Sequence, residues 1–136
     1  MKPHVILTIT SLLLILLLTF HLTDDIVRGF EPGTLRTLNA VPMVVIWLYG
    51  AVVLAGRRSG YIITLLFSIL SFGVPVIHMM NRGVGVHSKI GYSHGAFFFV
   101  WTLIAIAVIA LFSVVLSAYG LWNFPWRRSG LSNIQT

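Results

Sequence analysis

Long apolar runs separated by short polar segments dominate the chain. Four runs carry no acidic or basic side chain apart from histidine, and they cover residues 4–22, 40–56, 61–80 and 95–122. An α-helix needs about 20 residues, at 1.5 Å each, to cross a hydrocarbon core of about 30 Å. Each run therefore predicts a transmembrane helix, and the second run, at 40–56, is short for a full crossing.

The connections between these runs predict how the helices are arranged. The second and third runs are joined by a tight basic turn, residues 56–60, so their helices must be antiparallel. Four crossings place both termini on the same side of the membrane. We therefore predict an all-α integral membrane fold, a four-transmembrane-helix bundle with antiparallel neighbours, that forms a single membrane domain over residues 1–136.

The first run also resembles a secretory signal peptide, because Lys2 precedes a leucine-rich core. Residues 18–21 lack the small side chains of a cleavage site, and further apolar runs follow. We therefore expect an uncleaved first helix.

Composition supports the membrane interpretation. Hydrophobic residues make up 57% of the chain and charged residues 9%, with a mean hydropathy of +0.96, whereas soluble domains are about a quarter charged. The formal charge of +6 comes from basic residues that flank apolar runs, as topology signals and lipid contacts do. We therefore predict the lipid bilayer as a partner and no nucleic acid. The chain has no cysteine, which excludes thiolate ligands and nucleophiles.

The basic residues also predict orientation. Five lie on the side of the termini and four on the other side, so the positive-inside rule favours termini in the cytoplasm of a cytoplasmic (inner) membrane. The first group is Lys2, Arg57, Arg58, Arg127 and Arg128, and the second is Arg28, Arg36, Arg82 and Lys89.

A polar cluster at the end of the first run holds most of the candidate chemistry. All three acidic residues of the chain lie between positions 24 and 31. The candidate polar site consists of His21, Asp24, Asp25, Arg28 and His78. His21 lies three and four residues before Asp24 and Asp25, and Arg28 lies four and three residues after them. If the first helix continues past the run, these spacings place the four side chains on one face. We expect His21 and Asp24 to face the bundle, and Asp25 and Arg28 to anchor the helix end in water.

Several interpretations of this cluster remain open. Charged residues gather at membrane interfaces because water is there, and an ion pair with Arg28 would only stabilise a helix end. Imidazole and carboxylate groups together also suit a divalent metal ion, or a proton-linked binding or transport unit. A haem held by His78 and His94 is a further alternative.

No nucleotide fingerprint, phosphate loop or serine nucleophile is present. We therefore favour an accessory or binding subunit of a membrane assembly, without a cofactor, that packs against a membrane-protein partner or a second copy. The alternative is a proton- or metal-linked transporter or membrane enzyme that uses the outward-facing His/Asp cluster.

Several segments are distinctive: 21–29 (HLTDDIVRG), 47–50 (WLYG), 57–61 (RRSGY), 95–101 (GAFFFVW) and 112–122 (FSVVLSAYGLW). In these segments the chain resembles a group of small, uncharacterised bacterial membrane proteins. The resemblance implies a four-helix protein of the bacterial inner membrane and carries no assigned activity.

Overall fold

The computed structural model describes residues 2–31, 33–80 and 94–124, with the side chains of residues 36 and 37 excepted. Four α-helices occupy most of these ranges: α1 (Pro3–Val27), α2 (Ala40–Leu48), α3 (Arg58–Met79) and α4 (Ala96–Trp122). A 3-10 turn, Leu35–Asn39, leads into α2, and a π-helical segment, Tyr49–Val53, continues α2. The predicted all-α class with four packed helices is therefore confirmed.

Three of the helices are long and apolar enough to cross a membrane. α1, α3 and α4 contain 25, 22 and 27 residues, which rise about 33–41 Å. The second apolar element is shorter, because the nine residues of α2 continue for only the five of the π-helical segment. Within the described residues, three of the four predicted spans are thus membrane-length helices, and the second is a shorter apolar helix.

Contacts between the ends of the elements show their relative directions. Gly33, before α2, lies beside Ile26 at the end of α1, and Gly56, before α3, lies beside His4 at the start of α1. α2 and the segment after it therefore bring the chain back alongside α1, so that α1 and α3 begin at the same end of the bundle. The hydroxyl of Thr8 lies 2.8 Å from the carbonyl oxygen of Ala51 and joins α1 to the π-helical segment.

The apolar core lies between α1, α4 and the α2 region. Leu14 and Ile106 are fully buried, and the ring of Trp47 stacks on Phe67 with 5.4 Å between centroids. The opposite faces of the three long helices expose leucine, isoleucine and valine side chains. These exposed faces suit contact with a lipid bilayer.

The buried face of α3 differs from this core because it carries no leucine, isoleucine or valine. From Tyr61 onward its members recur every three or four residues along the helix. They are Gly60, Tyr61, Thr64, Ser68, Ser71, Pro75 and His78. Small and hydroxyl side chains let membrane helices approach closely, and α4 packs against this face, with the ring of Tyr61 directly against Gly120. α3 can therefore bring His78 close to its neighbours.

Candidate functional site

Helix α1 continues five residues beyond the predicted run, so it includes the acidic pair. His21 and Asp25 are both buried, at 2% and 7% exposure, whereas Asp24 is only partly buried. The expectation that Asp25 faces water is therefore wrong, and Asp24, which is expected to face the bundle, is the less buried of the two acids. Residues four apart on a helix are separated by about 40° and residues three apart by about 60° in the other direction, so the inward face at His21 continues through Asp25.

The end of α1 is fixed by a Schellman motif. Gly29 has a φ of 74°, a left-handed conformation that glycine adopts without steric cost. The amide of Phe30 donates to the Asp25 carbonyl oxygen at 2.9 Å, and the amide of Gly29 donates to that of Ile26 at 3.0 Å. A glycine just past a helix end is a known stop signal, so Gly29 marks this boundary in the sequence.

Three side chains from α1 and α3 converge inside the bundle. His21 Nε2 lies 3.3 Å from His78 Nε2. Asp25 Oδ2 lies 3.7 Å from His21 Nε2 and 3.8 Å from His78 Nε2. His78 is 8% exposed. Two imidazoles and one carboxylate, all buried, therefore present one atom each to a common point.

The size of this triangle matches a bound metal ion. The point equidistant from the three atoms in their plane lies about 2.1 Å from each of them, and Zn–N and Zn–O distances in proteins are about 2.0–2.2 Å. An ion fits between these atoms as they stand. Within the described ranges, His21, Asp25 and His78 are the group of histidine and acidic residues that could hold a metal ion.

The hydroxyl of Thr102, on α4, holds the ring of His21. Thr102 Oγ1 donates its single hydrogen to the carbonyl oxygen of Phe99 at 2.9 Å, and it lies 3.2 Å from His21 Nδ1. The hydroxyl must therefore accept from His21 Nδ1–H. This network assigns the hydrogen of the neutral ring to Nδ1 and leaves the lone pair of Nε2 directed at the cluster.

The ring of Phe99 forms a wall of the site. It is fully buried, and its centroid lies 4.8 Å from that of His21 and 5.3 Å from that of His78. The phenyl ring of Phe30 packs against it at 6.2 Å. The aromatic wall excludes water from one side of the three polar groups and lowers the local dielectric.

Arg28 and Asp24 form an ion pair beside this wall. Arg28 Nε donates to Asp24 Oδ2 at 2.8 Å, and the guanidinium carbon lies 5.5 Å from the centroid of Phe99. Gly95 has a φ of 78°, and a Cβ there would lie 3.0 Å from Arg28 Nη2. Arg28 therefore occupies the space between the end of α1 and the start of α4, and it neutralises the charge of Asp24.

The structure thus brings together three of the five predicted site residues. His21, Asp25 and His78 form the cluster, while Asp24 and Arg28 pair with each other beside it. Sequence reasoning missed Phe99 and Thr102. Their three-residue spacing on one face of α4 was visible, but only the packing of α4 against α1 and α3 makes them neighbours of the histidines.

Other predicted candidates lie elsewhere. His94 is exposed in the turn before α4, whereas His78 faces His21, so the structure gives no support to a haem between His78 and His94. His87 lies outside the described residues, as do four of the basic residues that predict orientation, Arg82, Lys89, Arg127 and Arg128.

Comparisons with protein-family models, with curated proteins and with solved structures found no match. No family is identified for this chain, so its resemblance to small bacterial membrane proteins stays a prediction. Its own residues show a small multi-pass membrane protein with a buried polar cluster.

Proposed function

We propose that this membrane protein binds a divalent transition-metal ion at His21, Asp25 and His78. The observation that carries the proposal is the triangle of Nε2, Nε2 and Oδ2 atoms, whose centre lies at metal–ligand distance from all three. Imidazole and carboxylate ligands of this kind suit zinc and other late first-row metals.

The contacts of Asp25 favour an ion over hydrogen bonding to this carboxylate. Its Oδ2 is 3.7–3.8 Å from the two imidazole nitrogens, which is longer than a hydrogen bond. Among the described residues none donates to Oδ1, which is buried. A carboxylate inside a membrane bundle is costly unless it is paired, and a divalent cation between the imidazoles would compensate its charge.

The position of the two acids in α1 supports a functional role for the cluster. Asp24 and Asp25 lie in the last turn of the helix, where the negative end of the helix dipole destabilises a negative charge. Arg28 offsets this for Asp24 through a direct ion pair. Asp25 points toward the histidines instead. A cation bound there would offset the unfavourable interaction of its charge with the helix dipole.

The test is metal binding by protein purified without a histidine tag. We expect about one equivalent of Zn²⁺ or Co²⁺ per chain after dialysis, and loss of this binding in His21→Ala, Asp25→Asn and His78→Ala variants. Matched controls are His4→Ala, on the same helix as His21, and Asp24→Asn, next to Asp25. Folded variants and controls that bind equally would reject the proposal, as would wild-type protein that binds no ion.

An accessory or binding subunit of a membrane assembly is a second candidate, and α2 favours it. Fourteen helical residues rise about 21 Å, less than a hydrocarbon core of about 30 Å, and Val41 and Val45 are more than half exposed. A partner or a second copy packed on this face would compensate for the difference between the helix length and the thickness of the hydrocarbon core. In mild detergent we expect a complex that a Val41→Trp/Val45→Trp variant loses and a Val108→Trp control on α4 keeps. A monomer without co-purifying protein would rule this out.

We also infer that the protein resides in the cytoplasmic membrane of a bacterium with both termini inside. Lys2, Arg57 and Arg58 lie at one end of the described bundle, where α1 and α3 begin, which fits the positive-inside rule. A C-terminal fluorescent-protein fusion should then be bright and a C-terminal alkaline phosphatase fusion inactive. The reverse pattern would invert the assignment.

A further inference from the structure

We propose that the ion held by His21, Asp25 and His78 keeps one coordination position for an exchangeable ligand that carries an O–H or N–H donor, such as water. This inference rests on the proposed metal site and specifies what that site takes. A closed site with four protein ligands would be structural, whereas an exchangeable position is the arrangement that permits chemistry or ion release.

The separations of the ligand atoms indicate the coordination geometry. Two ligand atoms about 2.1 Å from an ion are about 3.4 Å apart in a tetrahedral site and about 3.0 Å apart as neighbours in an octahedral one. The three separations here are 3.3, 3.7 and 3.8 Å. They therefore suit an ion close to the plane of the three atoms, in a strongly flattened tetrahedral arrangement, rather than the face of an octahedron.

The described side chains supply three of the four positions. In residues 2–31, 33–80 and 94–124, no fourth imidazole or carboxylate joins the group. Asp24 is engaged by Arg28. The ring of Phe99, which lies against both histidines, offers no lone pair. The fourth position is thus left to a ligand from elsewhere.

Asp25 indicates the chemistry of that ligand. Oδ2 belongs to the triangle, while Oδ1 on the same carboxylate is buried and receives no hydrogen bond from the described residues. A carboxylate oxygen only accepts, so a ligand beside the ion with an O–H or N–H group would satisfy it. The Nδ1–H of His21 cannot, because it donates to Thr102.

Cobalt substitution tests the coordination number. Tag-free protein loaded with Co²⁺ is expected to show the strong visible absorption of a four-coordinate ion rather than the weak absorption of an octahedral one. Added azide, which competes for an exchangeable position, should shift the absorption bands in a saturable manner. Pulsed EPR in D₂O should detect the strongly coupled deuterons of a bound O–H or N–H ligand. Azide should remove these signals and leave the weaker signal of the deuteron on His21 Nδ1.

The outcomes separate this inference from the proposed function. Failure to bind Co²⁺ would reject the metal site itself. Binding with a weak octahedral spectrum, or with bands and deuteron signals that azide does not change, would leave the metal site standing and overturn the exchangeable position. A His87→Ala variant that binds Co²⁺ but loses the four-coordinate spectrum would overturn it as well, because the fourth ligand would then be a side chain of the chain.

Discussion

His21 and Thr102, on helices α1 and α4, are joined by a hydrogen bond of 3.2 Å between Nδ1 and Oγ1. Because the hydroxyl hydrogen is committed to the Phe99 carbonyl, the bond has a direction, from the imidazole to the threonine. Helix α4, which contributes no side chain to the cluster, therefore determines which nitrogen of His21 is available to it. A hydrogen-bond acceptor on the other ring nitrogen orients a metal-binding histidine and raises its basicity.

Replacement of Thr102 by valine is expected to weaken metal binding by about 10–100-fold. Valine keeps the shape of threonine but removes the acceptor for His21 Nδ1–H, so the ring is free to turn or change tautomer. Competition with a chromophoric chelator measures the affinity.

Two variants control for packing effects. Thr102→Ser keeps the hydroxyl and should retain most of the affinity. Thr64→Val makes the same substitution at a buried threonine of α3 and should leave the affinity unchanged. Equal affinities in Thr102→Val and wild type would show that the hydroxyl has no part in the site.

Removal of the proposed metal ion is expected to lower the thermal stability. An ion that bridges α1 and α3 binds only the folded chain, and at 100 times its dissociation constant it contributes about 2.7 kcal/mol. Thermal scans in detergent, with and without a chelator, should show a lower Tm for the stripped protein. The chelator should not change the Tm of an Asp25→Asn variant, and an equal fall in that variant would contradict the bridging role.

Replacement of Gly120 by alanine is expected to destabilise the protein by about 1–3 kcal/mol. A Cβ at this position would overlap the ring of Tyr61, so α3 and α4 would have to separate. Gly73→Ala is the matched control, because a Cβ there meets no atom within 4 Å and alanine favours a helix by up to about 1 kcal/mol. Thermal or denaturant unfolding that ranked the two variants equally would contradict this packing.

Replacement of Asp24 by asparagine is expected to cost about 1–3 kcal/mol and to leave metal binding intact. Both side chains of the pair with Arg28 are largely buried, at 13% and 15% exposure, so the neutral amide would remove the counter-ion of the Arg28 charge. Unfolding experiments and metal titration measure the two effects. Loss of the metal in Asp24→Asn would mean that Asp24, and not Asp25, faces the ion.

The candidate residues were visible in the sequence, but their arrangement was not. His21, Asp25 and His78 were named because imidazoles and carboxylates are scarce in so apolar a chain. The choice between Asp24 and Asp25 depends on a rotation of about 100° per residue, and the inward direction of α1 is fixed only by its neighbours. Gly29 could have indicated where α1 ends, and hence that both acids lie within the helix.

The length of the second apolar helix could not be predicted from the sequence, for a different reason. Residues 40–56 carry no charge, and hydropathy alone does not show where helical hydrogen bonding stops. Only the folded chain shows that α2 gives way to a π-helical segment that ends at Val53.

The sequence by itself determined that this is a multi-pass helical membrane protein and that its polar chemistry lies near the end of the first helix, because hydrophobic length and charge placement are local properties. Only the tertiary structure decided that His78 meets His21 and Asp25, and that Thr102 and Phe99 complete their surroundings. These residues are up to 81 positions apart, and their proximity follows from the rotation and depth of each packed helix, which no local pattern specifies.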